Sequence, residues 1–403
     1  MIIFANKHIL LGVTGSIAAY KAVELASKLT QAGAQVDVIL TPAAEKFITP
    51  LTFQSVTGRK AFTDADLWGG QAHVLHVGLG HTSELMVIAP CTANTLGKLA
   101  HGIADNLLTI TALATRCPLL VAPAMDVGIY TNIATQDNVR ILTERGVYFA
   151  GPDEGRMVSG LVGKGRLVEP AELLGHIRIV LGRQGPLAGK KIVVTAGGTQ
   201  EPLDPVRVLT NKSSGKQGYA LAQAALDAGG NTILVSAQTA IPAPVGARFI
   251  PANTAQAMLE AVLAESEGAD ALIMAAAVAD FRPKQVAENK LKKRDGIPLV
   301  ELEAAPDVLA AVAAMGSLRP RVVIGFAAES RDLLENAAAK LKSKKLDMIV
   351  ANDISAPGSG FGVDTNHVTL LFPDAKEQPL PLMHKDEVAE TIIAHLAMLL
   401  ETK

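Results

Sequence analysis

The sequence predicts an α/β protein made of two doubly wound, mostly parallel sheets in tandem. Short apolar runs alternate with helix-periodic stretches, and that alternation makes a parallel sheet covered by helices. It runs twice, once up to about residue 180 and again from about residue 190. Each round opens on a strand, a glycine-containing turn and a helix, which makes both halves Rossmann-like or flavodoxin-like. A chain of 403 residues has room for two such domains.

In the first round, residues 8–14, 35–40, 85–89 and 119–122 read as buried parallel strands. Residues 17–31, 92–100, 106–114 and 135–145 carry the helical period, and Gly33 and Gly146 stand where helices should end. In the second round the strands are 191–195, 232–236, 271–275, 322–326 and 347–350. Its helices are 219–228, 255–266, 306–315, 333–343 and 387–400, and residues 367–372 read as an antiparallel edge strand. The Gly/Pro stretch Gly182-Arg-Gln-Gly-Pro-Leu-Ala-Gly189 separates the rounds. The expected domains are therefore 1–184 and 185–403.

Composition narrows the function classes. The chain is 49% hydrophobic and 4% aromatic, with a net charge of −2, so no cationic surplus marks a nucleic-acid or membrane partner. Two cysteines, Cys91 and Cys117, cannot make a disulfide framework, and a reducing cytoplasmic setting is expected. No apolar run approaches the ~20 residues of a membrane span.

In such sheets ligands bind beyond the carboxyl ends of the strands. After the first strand comes Gly12-Val-Thr-Gly-Ser-Ile-Ala-Ala-Tyr-Lys21, where Gly15 and Ser16 open a helix suited to phosphate, or form a tight turn with Ser16 as N-cap. Thr41 follows the second strand, and Ala89-Pro-Cys-Thr-Ala-Asn94 follows the third. Three hydroxyl-bearing helix starts on one edge suit a mononucleotide, because no acidic residue is placed for a dinucleotide ribose. His73, His76 and His81 crowd one segment; spacing alone does not choose a general base among them. In the second half, the loop from Thr195 to Gly218 is too long for a P-loop and lacks GxxxxGK[ST]. Lys290-Leu-Lys-Lys293, Lys340 and Lys344 accompany it, which predicts a polyanion site.

Over nearly its full length the chain resembles the bifunctional bacterial phosphopantothenoylcysteine synthetase/decarboxylases of coenzyme A biosynthesis. The second half carries Thr195-Ala-Gly-Gly-Thr-Gln-Glu-Pro-Leu-Asp-Pro-Val-Arg207, Asn211-Lys-Ser-Ser-Gly-Lys216, Ala275-Ala-Ala-Val-Ala-Asp280 and Asp347-Met-Ile-Val-Ala-Asn-Asp353. The first half is similar to the flavin-dependent cysteine decarboxylases, through Gly12–Lys21, His76 with Leu79, Ala89–Asn94 and Pro123-Ala-Met125. The resemblance implies a ligase acting through an acyl-cytidylate, with CTP and Mg²⁺, and an FMN-dependent decarboxylase acting on its product through a thioaldehyde and an aminoenethiol. It selects His76 as base and assigns FMN to Gly15, Ser16, Thr41, Thr92, Ala93 and Asn94. It assigns CTP to Gly197, Gly198, Ala275, Ala276, Asp280, Lys290, Pro306, Asp307, Val308, Phe326, Lys340 and Lys344, with Asp280 also on the metal. Arg207 and Asn211 would bind the acyl substrate, with Asn211 orienting the intermediate for attack. It also implies a homo-oligomer, a dodecamer of trimers and dimers.

Three departures stand out. Where the family has Pro-Ala-Met-Asn this chain has Asp126, and where the family's lid commonly has Ala-Cys-Gly it has Val158-Ser-Gly160. The family's Asn-Pro-Asp-Ile is Ala305-Pro-Asp-Val308. Asp126 and Ser159 are expected to be catalytic and to act as a compensated pair, with Asp126 buried and protonated beside the flavin. The alternative is a working ligase fused to an impaired decarboxylase.

Overall fold

The computed structural model describes residues 2–68, 74–293, 296–329, 332–353, 360 and 362–403. The chain divides into two compact units, Met1–Gly182 and Arg183–Lys403.

Unit 1 runs β1 (His8–Val13), α1 (Ala19–Gln31), β2 (Gln35–Leu40), α2 (Pro50–Thr57), β3 (Ala61–Phe62), α3 (Leu75–Thr82), β4 (Leu85–Cys91), α4 (Ala93–His101), α5 (Leu107–Ala114), β5 (Leu119–Pro123), α6 (Val127–Tyr130), α7 (Ile133–Glu144), β6 (Tyr148–Phe149), β7 (Asp153–Arg156), β8 (Val162–Arg166) and α8 (Pro170–Gly182). Six strands form one parallel sheet in the order β3-β2-β1-β4-β5-β6. Every residue of β4 is buried, as a strand covered on both faces requires. α1 buries Ala22, Leu25, Ala26 and Leu29 at helical spacing against that sheet. A fully buried leucine contributes roughly 1.5–3 kcal/mol.

Unit 2 runs β9 (Lys191–Ala196), β10 (Gln200–Pro202), β11 (Val208–Thr210), α9 (Lys216–Asp227), β12 (Asn231–Ser236), β13 (Arg248–Pro251), α10 (Ala255–Ser266), β14 (Ala271–Met274), β15 (Phe281–Pro283), β16 (Leu302–Ala304), α11 (Val308–Ala313), β17 (Val322–Glu329), α12 (Leu333–Ser343), β18 (Met348–Asp353), β19 (Thr365–Asn366), β20 (Val368–Leu371), β21 (Glu377–Pro379), β22 (Met383–His384) and α13 (Lys385–Thr402). Its main sheet has the order β13-β12-β9-β14-β17-β18-β20-β21. The first six strands are parallel, and β20 and β21 are antiparallel. Both sheets therefore reverse strand order beside their first strand, at β1/β4 and at β9/β14, and those are the places where a crevice opens.

The expected strands and the two-sheet plan are all present. One expectation is corrected: β20 is antiparallel but not the edge, because β21 pairs outside it. The antiparallel β7–β8 hairpin was not expected from the sequence; its glycines and charges carry no apolar alternation.

Candidate active sites

In unit 1 the three loops singled out by sequence meet at the β1/β4 reversal. Thr14 Oγ1 donates to the Pro90 carbonyl at 2.7 Å and accepts the Thr92 amide at 3.1 Å, which ties the first loop to the third. Gly15 lies against the second: a Cβ there would stand 2.5 Å from the Ala43 Cβ, so only glycine permits the approach. Thr41 Oγ1 accepts the Ala44 amide at 3.3 Å, and Thr92 is the N-cap of α4, accepting the Thr95 amide at 3.4 Å. Ala93 and Asn94 form the first turn of α4. The expectation that Ser16 caps a helix is corrected. Residues 15–18 turn first, Ser16 Oγ accepts the Ala18 amide at 3.3 Å, and α1 begins only at Ala19.

His76 is not in a loop but in the first turn of α3, with Leu79 buried one turn on. Its Nδ1 is buried with no hydrogen-bond partner among the described residues. A buried ring nitrogen without a partner is uncommon, and at a ligand site it marks a group waiting for one. His73 lies outside the described residues. The glycine cradle and the orphaned His76 nitrogen both fit a planar phosphorylated cofactor on this edge.

Beyond β5, Asp126 caps α6: its Oδ1 accepts the Gly128 amide at 3.0 Å. Ser159, at the tip of the β7–β8 hairpin, donates its hydroxyl to Asp126 Oδ2. The two residues expected to compensate each other are directly hydrogen-bonded. The expected protonated Asp126 is corrected. The side chain is only partly buried, and the Ser159 hydroxyl, then the Gly128 amide, hold its carboxyl below the usual carboxylate range.

Unit 2 has a cleft of about 860 Å³ at the β9/β14 reversal. It brings together Asn211, Ala275, Ala276, Asp280, Pro306, Asp307, Val308, Phe326, Lys340 and Lys344, residues spread over more than a hundred positions of sequence. The floor is stitched by threonine hydroxyls: Thr195 accepts the Ala276 amide at 3.0 Å and Thr199 the Ala279 amide at 2.9 Å. Gly197 and Gly198 lie beneath it, the first accepting the Ala277 amide at 2.8 Å. Gly198 has a positional reason for its identity, since a Cβ there would come 3.0 Å from the Asn211 carbonyl. Asn211 Nδ2 donates to the Ala277 and Val278 carbonyls at 3.2 and 3.4 Å, which fixes the amide at the cleft wall.

The charged groups are mutually held. Lys340 Nζ donates to the Phe326 carbonyl at 2.8 Å, and Lys344 Nζ to Asp307 Oδ2 at 2.5 Å. Asp307 Oδ1 caps α11 through the Ala310 amide at 2.9 Å. Burial opposes the charge on Asp307, but Lys344 and the Ala310 amide outweigh it and keep the carboxyl below its ordinary range. Lys216 and Lys385 also line the cleft. Lys385, at the start of α13, gave no sequence signal because it reaches the site only through the fold. Its buried ammonium donates to the Gly360 carbonyl at 3.1 Å, and burial pushes its pKa down.

Besides Gly197 and Gly198, two more expected site residues, Arg207 and Lys290, do not line this cleft. Arg207 forks onto Asp204, at 2.9 Å from Nε and 2.6 Å from Nη2, and also donates to the Leu291 carbonyl at 2.5 Å. The Leu291 amide donates to the same Asp204 at 3.1 Å. Lys290, next to it, is exposed. The clasp thus tethers the Lys290 loop at the Asp204 turn, while both ends of the β15–β16 arm, Asp280 and Ala305, join at the cleft through a 2.8 Å bond. Among the described residues no group of three or more His, Cys, Asp or Glu side chains could hold a metal by itself, and no helix is long and apolar enough to cross a membrane.

Residues 4–181 match the Flavoprotein family, and residues 187–400 match the DNA/pantothenate metabolism flavoprotein C-terminal domain. The coenzyme A biosynthesis bifunctional protein CoaBC of Bacillus subtilis (strain 168) is 44% identical over 397 residues, covering 98% of this chain and 97% of that protein. The protein of the same description from Vibrio cholerae is 44% identical over 391 residues, covering 96% and 97%. Its counterpart in Mycobacterium tuberculosis (strain ATCC 25618 / H37Rv) is 42% identical over 401 residues, covering 96% and 95%.

Proposed function

This chain belongs to the family of bifunctional coenzyme A biosynthesis proteins, an enzyme with a flavoprotein decarboxylase domain and a ligase domain, and on that premise we propose how its residues divide the two reactions. Residues 185–403 join cysteine to 4′-phosphopantothenate at the expense of CTP, and residues 1–184 decarboxylate the product to 4′-phosphopantetheine.

The observation that carries the ligase reading is the cleft at the β9/β14 reversal, with Lys340, Lys344 and Asp307 at one wall and Asn211 at another. The substrate carboxylate attacks the α-phosphorus of CTP and pyrophosphate leaves; the cysteine amine then attacks the acyl carbon and CMP leaves. Each step builds negative charge on phosphate oxygens, so fixed cations and amides matter more than acid–base groups. Lys340 and Lys344 exchange their internal acceptors for the triphosphate, Phe326 packs on the base, and the 275–276 and 306–308 backbones flank the nucleotide. Asp280 would hold Mg²⁺, which would neutralise charge on the nucleotide phosphates; a single protein carboxylate would suffice for an ion of this kind. Lys290 moves in from its tether, and Asn211 orients the acyl-cytidylate for the amine. Arg207 serves by holding the loop that carries Lys290.

In unit 1, FMN, when bound, supplies the oxidation and re-reduction at the cysteinyl thiol-bearing carbon that make carboxylate loss possible. Gly15, Ser16, Thr41, Thr92, Ala93 and Asn94 hold it through backbone amides and hydroxyls. His76 moves the proton at the reacting cysteinyl group, its orphaned Nδ1 finding its partner in the loaded site. The exposed apolar residues Ile129 and Ile133 beside this edge suit a homo-oligomer in which neighbouring copies complete the site.

Omitting cysteine tests the ligase reading. With CTP, magnesium and phosphopantothenate alone, the enzyme should release about one pyrophosphate per site and retain an acyl-cytidylate detectable by mass spectrometry. Pyrophosphate release that is independent of phosphopantothenate would overturn it.

A further inference from the structure

The β7–β8 hairpin is fixed at its root and hangs by one side-chain bond at its tip. At the root, the Met125 amide donates to the Gly165 carbonyl at 2.9 Å, and β8 lies flush on residues 125–127. A Cβ on Gly165 would come 2.3 Å from the Met125 carbonyl, and one on Gly163 would meet Val127 at 3.0 Å. Just past the root, the buried ammonium of Lys21 holds the Leu167 carbonyl at 3.1 Å and Glu169 at 2.8 Å. At the tip, Met157 and Leu161 close a turn in which the Gly160 amide donates to the Met157 carbonyl at 3.0 Å, and Gly160 takes a left-handed φ of +88°. That turn presents Ser159. Val158 beside it is 90% exposed and Leu161 is exposed as well, so neither side chain packs the tip down; Met157 is half-buried.

The partner of Ser159 is held by the start of α6. Asp126 follows β5 by three residues, on the same sheet edge as Gly15 and Thr92. Its carboxylate caps α6 through Gly128, and its carbonyl accepts the Ile129 and Tyr130 amides at 3.0 and 2.9 Å. Among the described residues, the Ser159 hydroxyl on Asp126 Oδ2 is the one side-chain hydrogen bond between residues 157–161 and the body of unit 1.

We propose that Ser159 and Asp126 form a latch that holds the hairpin tip down over the decarboxylation site, both acting as positioning residues for that reaction. The inference rests on unit 1 being the decarboxylase. A hydroxyl donating to a carboxylate makes one of the stronger side-chain bonds available at a surface. It ties to the body of unit 1 a tip turn that is otherwise closed only on itself, while leaving opening for substrate entry within reach of thermal fluctuation. An ionised Asp126 can serve the Gly128 amide and the Ser159 hydroxyl on separate oxygens. An asparagine has one carbonyl oxygen for both.

The test is hydrogen exchange of the full-length protein at residues 157–162, with steady-state decarboxylation of phosphopantothenoylcysteine measured alongside. Ser159→Ala and Asp126→Asn should each speed exchange of the Met157 and Gly160 amides by about threefold or more. The double variant should go no further, and Ser159→Thr, which keeps the hydroxyl, should stay at the parental rate. kcat/KM for decarboxylation should fall with the same ranking, while CTP-dependent ligation is unchanged. Parental exchange in Ser159→Ala, additive effects in the double variant, or failure of Ser159→Thr to preserve protection would each overturn the latch. A wild type that exchanges as expected but releases no CO₂ would instead overturn the decarboxylase reading and leave the latch as a property of the fold.

Discussion

Lys344 pairs with Asp307 at one wall of the unit 2 cleft, its ammonium donating to Oδ2 at 2.5 Å while the other carboxylate oxygen caps α11. The cation is thus kept at the cleft wall by a weak internal anion until a stronger one arrives. On the proposed ligase reading, a triphosphate would displace the carboxylate from Lys344 without disturbing the helix cap, because the two oxygens have separate jobs.

Lys344→Gln should therefore raise the KM for CTP by about tenfold or more, with a smaller loss of kcat, since a charge-assisted contact to phosphate is lost. Raising salt should weaken CTP binding less in the variant than in the parent. Initial-rate kinetics at two ionic strengths measure both effects.

The purified chain should carry flavin and be yellow. Gly15→Val should abolish flavin binding, because its Cβ would overlap Ala43 in the loop the cradle packs against. Unit 2 should melt as in the parent and ligation should persist. Absorbance spectra and ligation rates distinguish a lost cradle from a lost fold. Light scattering of the same sample should show a homo-oligomer.

Lys290→Gln should lower ligation by at least about a hundredfold with the fold intact, since Lys290 is exposed and makes no core contact. Asn211→Asp should slow amide formation more than cytidylate formation, because a carboxylate cannot donate where the amide does. Rapid quench of the two half-reactions resolves the difference; equal losses would remove Asn211 from the second step.

Asp204 sets an acid limit on unit 2. Burial of its side chain opposes charge, yet the Val206 amide, the Arg207 guanidinium and the Leu291 amide hold its carboxyl well below the usual range. A depressed folded-state pKa contributes stability that is present above the unfolded value near 4 and is lost as pH falls through the folded value. Asp204→Asn should thus lower the melting temperature of unit 2 by several degrees at pH 7 and by less at pH 3. A pH series of thermal melts reads this directly.

Much of this was legible in the sequence because buried parallel strands are continuous apolar runs and helix ends carry glycines. β4 and β9 needed no structure to find. The site loops were legible for the same reason: ligand edges follow strands, and Thr92 and Asp307 fall at helix starts. What was not legible depends on distance or on polar local chemistry. Lys385 enters the unit 2 cleft from the last helix, and nothing in its neighbours marks it. The β7–β8 hairpin has glycine and charge where a strand would have apolar alternation, and short β21 hid the true sheet edge. Asp126 was expected to be neutral because a buried carboxyl beside a cofactor would be. The hairpin instead delivers a hydroxyl donor to it, and a donor favours the charged form.

The most direct test of the whole account is a single-vessel conversion. Purified full-length protein is supplied with FMN, magnesium, CTP, cysteine and 4′-phosphopantothenate, and products are followed by mass spectrometry. The account predicts CMP and pyrophosphate in step with ligation, transient phosphopantothenoylcysteine, and then 4′-phosphopantetheine, with His76→Asn halting the sequence at phosphopantothenoylcysteine. Failure to form CMP and pyrophosphate, or phosphopantothenoylcysteine that accumulates in the wild type without decarboxylation, would contradict it.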